Sequence, residues 1–283
     1  MADFLTLPAE GEIPDEAASQ DVIAFHPQGN RPPLFLIQTW KKEMVNIQRL
    51  AHHLGPEQPI FSVNPPHGDN REDFPRRDST WSDYALEKLD RIGHPGTWRL
   101  GGWSFGGTLS LGVAQRLMDR EEKVENVILY DAIFPGLSRS SHRNRKSHPI
   151  HRIASNVTEY YERPEAERKE ALNRMMSGWK RRLTGTEEKW VTERKNRMDF
   201  LHRAIHVAYL NYEEFAFDGA VNLLWTDETF KKAQDLTLGW HRLLRGPFSA
   251  QRIAEGHVEM WHEPHVERVA RATRTILDEH NLE

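Results

Sequence analysis

Short runs that are apolar throughout alternate along this chain with longer stretches in which apolar residues recur every three or four positions. Val22–Phe25, Leu34–Ile37, Ile60–Val63, Val124–Tyr130 and Ala220–Trp225 are runs of the first kind, and Met44–Leu54, Trp81–Ile92 and Thr108–Met118 are stretches of the second. A strand buried on both faces needs apolar residues at every position, whereas a helix laid on a sheet needs only one apolar stripe. The alternation predicts an α/β chain with a mostly parallel central sheet flanked by helices. The pattern lapses twice. Residues 1–25 are acidic and weakly periodic up to the Val22–Phe25 run, and read as an N-terminal arm. Between 136 and 215 the sequence turns polar and helical, which predicts an inserted helical lid dividing a core of 26–135 from a core of 216–283.

Where the apolar segment Thr97–Gly101 meets the helical stretch from Thr108, the chain reads Gly102-Trp103-Ser104-Phe105-Gly106. A serine on a sharp turn between strand and helix, flanked by glycines, exposes its hydroxyl above the sheet of an α/β-hydrolase fold. The missing Cβ atoms let strand and helix backbones approach, and the helix N-terminus favours negative charge beside the serine. Ser104 is therefore the candidate nucleophile.

A serine hydroxyl becomes a useful nucleophile when a base and an orienting acid accompany it, in this fold in the chain order Ser, acid, His. Asp131 ends the Val124–Tyr130 run, at the strand edge where ligands collect in open α/β sheets. Asp227 follows the Ala220–Trp225 run and satisfies the same order. For the base, His257 follows Gly256 on a loop ahead of a helix expected near Pro264, with His262 and His265 as competitors. These histidines lack the helical His-Glu-x-x-His spacing and any cysteine partner, so no metal site is expected.

Pro32–Ile37, Leu100–Gly107, Ile128–Asp131, Gly256-His257 and Glu263–Val266 together resemble the thioesterase domains of nonribosomal peptide and polyketide synthases, here on a stand-alone chain. The resemblance spans roughly residues 31–280 and is weakest over 136–215. It implies an α/β-hydrolase fold with a lid, and attack by Ser104 on an acyl thioester carried on the phosphopantetheine of a carrier protein, with no cofactor of the enzyme's own. It favours Asp131 as the acid and His257 as the base, while Asp227 stays open, since stand-alone editing thioesterases place the acid late. One oxyanion-hole amide is expected from Phe105. The other is expected from Trp40, although Gln38-Thr39-Trp40-Lys41-Lys42 stands where such domains usually carry a glycine-rich loop. Lys41, Lys42 and Trp103 are expected near the substrate, and the basic residues Arg139, Arg143 and Arg145 near an acidic carrier protein. Aromatics from Trp179 to Phe217, among them Tyr209, Tyr212 and Phe215, are candidates for an acyl chamber.

Composition narrows the alternatives. With 38 Lys and Arg against 42 Asp and Glu, the net charge of −4 gives no reason to expect nucleic acid as a partner. No run approaches the ~18 apolar residues that a membrane span requires, no signal peptide is evident, and a cytoplasmic location is expected. The absence of cysteine excludes disulfides and a thiol nucleophile. Two rival functions use the same residues: a carboxylesterase acting on a small free ester, and a binding protein that keeps the fold without the chemistry.

Overall fold

The computed structural model describes residues 4–10, 20–40, 43–66, 74–75, 77–93, 95–137, 201 and 204–279. Over these residues the chain builds an eight-stranded sheet from β1 (Leu5–Leu7), β2 (Val22–Phe25), β3 (Leu34–Ile37), β4 (Ile60–Val63), β5 (Trp98–Trp103), β6 (Val124–Tyr130), β7 (Val221–Thr226) and β8 (Phe248–Ala254). The strand order is β1-β2-β4-β3-β5-β6-β7-β8; β2 and β4 are antiparallel, and every other neighbouring pair is parallel. The α/β class and the mostly parallel sheet expected from the hydrophobic pattern are what the structure shows.

Alternation along the strands divides the core into two layers. Phe35 and Ile37 of β3, with Val127 and Leu129 of β6, pack on one face. Leu34 and Leu36, with Ile128 and Tyr130, pack on the other. Helices α2 (Asp78–Ile92) and α3 (Phe105–Asp119) cover the first face. The second is covered by α1 (Glu43–Leu54) and α5 (His265–Glu279), whose apolar stripe Val266, Val269, Ala270, Thr273 and Leu277 repeats at helical spacing. The strands are apolar at every position because both faces are covered.

Two expectations shift. The acidic arm over 1–25 is tied to the sheet at both ends of its described stretches, since Leu5–Leu7 forms the edge strand against Ile23–Phe25. Of the lid expected over 136–215, residues 138–200 lie outside the described residues; 204–210 are helical. Of the aromatics expected to line a chamber, Tyr212 and Phe217 are buried in the core, while Tyr209 and Phe215 are half-buried, with Tyr209 against Phe105. Tyr212 packs against Phe134 and Trp240, and Phe217 is 1% exposed.

Candidate functional site

Four neighbouring strands, β5 to β8, end on the same side of the sheet, and each releases one part of the site. β5 runs into Ser104, whose backbone sits at φ 54°, ψ −123°, a conformation that L-residues adopt only when their surroundings force it. The force comes from tight packing: a Cβ on Gly102 would stand 2.3 Å from the Gly106 carbonyl carbon, and one on Gly106 would stand 2.3 Å from the Ile37 oxygen. The Ser104 amide donates to the Tyr130 carbonyl at 2.9 Å, which ties the turn to the neighbouring strand. Phe105 follows as the first residue of α3, where a backbone amide has no acceptor within its own helix.

Asp131 leaves β6 with φ 50° and is 1% exposed. Its amide donates to the Leu224 carbonyl at 2.7 Å, a register that sets its carboxylate beside the end of β7. There Oδ1 accepts from the Thr226 amide at 2.8 Å, while Oδ2 accepts from the Thr226 hydroxyl at 2.8 Å and the Thr229 hydroxyl at 2.6 Å. Thr226 also caps the short helix α4 (Asp227–Ala233), its oxygen accepting from the Thr229 amide. The loop after β8 carries His257, whose Nδ1 lies 2.6 Å from Asp131 Oδ2. A carboxylate so placed accepts the Nδ1 proton and leaves Nε2 free to act as a base. The His257 amide donates to Glu228 Oε2 at 2.9 Å. Lys232 and this amide together hold the Glu228 carboxyl below its ordinary range. The indole of Trp103 stacks on the His257 ring at 4.7 Å, with the planes 28° apart.

Ser104 and His257 border one cavity of about 440 Å³, together with Thr39, Trp40, Glu43, Trp103, Phe105 and Ile205. That volume lies within the range of ordinary small-molecule sites. No direct hydrogen bond joins Ser104 to His257 among the described residues, and contacts of this kind commonly close only when substrate is bound.

The structure separates the candidates that chain order left open. Asp131 meets His257, whereas Asp227 is engaged by Arg252 through two contacts of 2.6 Å that hold its carboxyl low. His262 is exposed, and His265 faces Glu255 at 3.4 Å. Trp40, Phe105 and Trp103 all reach the cavity. Lys41, Lys42, Arg139, Arg143 and Arg145 lie outside the described residues. Thr226, Thr229, Glu228 and Glu43 were not singled out from sequence. The Thr226-Asp227-Glu228-Thr229 cluster at the end of an apolar run was the available signal for three of them.

The sequence pattern of the family described as "Thioesterase domain" matches residues 47–277. The chain belongs to the thioesterase-domain family. Among curated proteins, the thioesterase domain is 35% identical over 104 residues to malpibaldin synthetase of Mortierella alpina, covering 37% of this chain and 2% of that one. It is 23% identical over 280 residues to chondramide synthase cmdD of Chondromyces crocatus, covering 93% of this chain and 7% of that one. The chain thus spans only a few per cent of these relatives' lengths. Among solved structures, the NocB thioesterase domain in covalent complex with a fluorophosphonate nocardicin G analogue is similar at TM-score 0.61 and 20% identity, with 90% of this chain and 99% of that one covered. The surfactin-cyclising thioesterase domain SrfTE is similar at TM-score 0.56 and 16% identity, with coverages of 92% and 97%. Among the described residues, no helix is long and apolar enough to cross a membrane.

Proposed function

We propose that this thioesterase domain releases an acyl, polyketide or peptidyl chain from the phosphopantetheine of a carrier protein through an acyl-Ser104 intermediate. The observation that carries this reading is the 2.6 Å contact of His257 Nδ1 with a buried Asp131, on the wall of the cavity that Ser104 enters. His257 Nε2 takes the Ser104 proton as the hydroxyl oxygen attacks the thioester carbonyl, and Asp131 fixes the tautomer and stabilises the imidazolium. The Phe105 and Trp40 amides receive the developing oxyanion at the positive end of α3. When the tetrahedral adduct collapses, the C–S bond breaks and His257 returns the proton to the departing pantetheine thiolate. A second nucleophile, activated by the same histidine, then attacks the acyl-serine. Water gives a free acid, a hydroxyl or amine on the chain itself gives a macrocycle, and an external alcohol or amine gives an ester or amide.

The synthase relatives support a carrier-borne substrate, and the basic residues Arg139, Arg143 and Arg145 supply charge complementary to an acidic carrier. Intact-protein mass spectrometry after exposure to phosphopantetheine-linked and simple acyl thioesters tests the reading. The expected result is an acyl adduct, or its turnover, in the wild type and neither in Ser104→Ala. Equal turnover by the two proteins overturns it.

A further inference from the structure

The segment between β3 and α1, residues 38–42, contains no glycine, and the Glu43 side chain holds Thr39, which borders the cavity. Glu43, the first residue of α1, is 6% exposed and borders the cavity that contains Ser104 and His257. Its carboxyl receives Thr39 twice, from the amide to Oε2 at 3.1 Å and from the hydroxyl to Oε1 at 2.9 Å. Its own amide donates to the Trp40 carbonyl at 2.9 Å. The Thr39 amide and the Trp40 carbonyl are therefore both anchored to one residue, which restrains the Thr39–Trp40 segment from its two ends. Upstream, the Gln38 amide donates to the Val63 carbonyl at 3.0 Å, which fixes where the turn leaves the sheet.

We propose that Glu43 is a positioning residue for the oxyanion turn: it clamps the Thr39–Trp40 segment so that the Trp40 amide faces the carbonyl under attack. This rests on the reading of Trp40 as an oxyanion donor. The neutral form of Glu43 matters because an ionised carboxylate bordering the cavity would repel the oxyanion that forms there. Burial works in that direction, pushing the Glu43 carboxyl up to about 8 against the hydrogen bonds from Thr39. A neutral carboxyl fits the same geometry: Oε2 accepts from the Thr39 amide, and a proton on Oε1 donates to the Thr39 hydroxyl, the reverse of the hydroxyl-to-carboxylate direction of an ionised Glu43. Among the described residues, the other titratable groups bordering the two cavities that Glu43 touches are His257, on the loop after β8, and Tyr130, on β6. His257 must be neutral to accept the serine proton. Tyr130 is buried and bonded to Thr273, and burial pushes its phenol well above the ordinary range.

The test measures kcat and KM for p-nitrophenyl butyrate from pH 5 to 9.5 in the wild type, Glu43→Gln, Glu43→Ala and Ser104→Ala, with thermal melts confirming that each is folded. Glutamine keeps both bonds to Thr39 and cannot ionise; alanine loses the clamp. The expected result for Glu43→Ala is a kcat lower by about 10²-fold with KM within about twofold, the signature of a misplaced oxyanion donor. The wild type should lose kcat as pH rises through 8, and Glu43→Gln should stay within about threefold of wild type at pH 7 and lack that fall. A Glu43→Ala enzyme with wild-type kcat, or a Glu43→Gln enzyme with an unchanged alkaline limb, overturns the proposal. Ser104→Ala keeps the two readings apart. Turnover by that variant refutes the serine mechanism itself, whereas an inactive Ser104→Ala beside an unaffected Glu43 pair refutes only the role of Glu43.

Discussion

His257 Nδ1 and Asp131 Oδ2 lie 2.6 Å apart although 126 positions separate them in the chain, and the carboxylate is closed off from solvent. Asp227, equally eligible by chain order, is spent on Arg252. The two carboxylates should therefore respond very differently to the same substitution. Asp131→Asn leaves a neutral amide that cannot stabilise the imidazolium and can favour the wrong tautomer, a change expected to lower kcat by about 10³- to 10⁴-fold. Asp227→Asn is expected to leave kcat within about twofold of wild type. Parallel steady-state kinetics on the two proteins decide it, and the reverse ranking would move the acid to Asp227.

Thr229 is the least conspicuous member of the site. Its hydroxyl donates to the same Asp131 oxygen that faces His257, at 2.6 Å, and it is 4% exposed. Thr229→Val preserves shape and removes one charge-assisted bond, worth about 1.5–3 kcal/mol. Part of that loss should appear as stability in urea denaturation, and part as a fall in kcat of roughly tenfold with KM unchanged, as Asp131 loosens its hold on the imidazole. A variant that lost stability but kept kcat would limit Thr229 to packing.

The nucleophile turn should tolerate no added methyl. In Gly106→Ala the new Cβ must displace the Ile37 carbonyl, the last residue of β3, from which the Gln38–Trp40 turn departs. Ser104 and the oxyanion turn would both shift, and a 1 Å misplacement is enough to cost about 10²-fold in rate. The expected outcome is a lower melting temperature together with loss of fluorophosphonate labelling at Ser104. Labelling at the wild-type rate would show that the turn relaxes cheaply.

These contrasts show which parts of the molecule local sequence can reveal. Ser104 and its glycines were legible because the constraint on them is local: a strand, a turn and a helix within a few residues of one another. Asp131 could be named because an apolar run ends at it. Preferring it to Asp227 required family resemblance, since the physical reason lies in sheet order, with β7 adjacent to β6 and Thr226 delivered to Asp131 across that seam. Glu43 was invisible because an acid in the first turn of a helix is ordinarily a solvated response to the helix dipole; only burial distinguishes it. Tyr212 and Phe217 stay only candidates in the sequence because aromatics spaced along a helical region look alike whether they line a chamber or fill a core; burial puts these two in the core. Leu5–Leu7 is too short to show a strand period, and its partner β2 supplies the pairing.

Trp103 combines a strand-end position with a stacked contact on the His257 ring. In the proposed mechanism His257 becomes an imidazolium, and an aromatic face on a cation contributes about 0.5–2 kcal/mol depending on desolvation. Trp103→Ala should lower kcat by roughly three- to thirtyfold, and Trp103→Phe, which keeps a smaller aromatic face, by less. Single-turnover acylation of Ser104 by p-nitrophenyl butyrate is the measurement. Equal losses in the two variants would assign the effect to the shape of the indole rather than to its π-face.

The buried carboxyl of Glu43 also makes stability depend on pH with a definite sign. In the unfolded chain it titrates near the ordinary glutamate value of 4.5, and in the folded protein burial pushes it up to about 8. Between those values the native state holds a proton that the unfolded state has released, so its contribution to stability is complete below pH 4.5 and is lost as pH rises toward 8. The local slope approaches about 1.4 kcal/mol per pH unit while the two states differ by one full proton. Glu43→Gln removes this proton difference and keeps the bonds to Thr39. Urea denaturation at pH 5 and pH 8 should therefore find the variant gaining on the wild type as pH rises, with other titrations common to both proteins cancelling in the comparison. A constant offset between them at the two pH values would mean that Glu43 ionises in the native protein as it does in the unfolded chain, and that its clamp on Thr39 operates as a carboxylate.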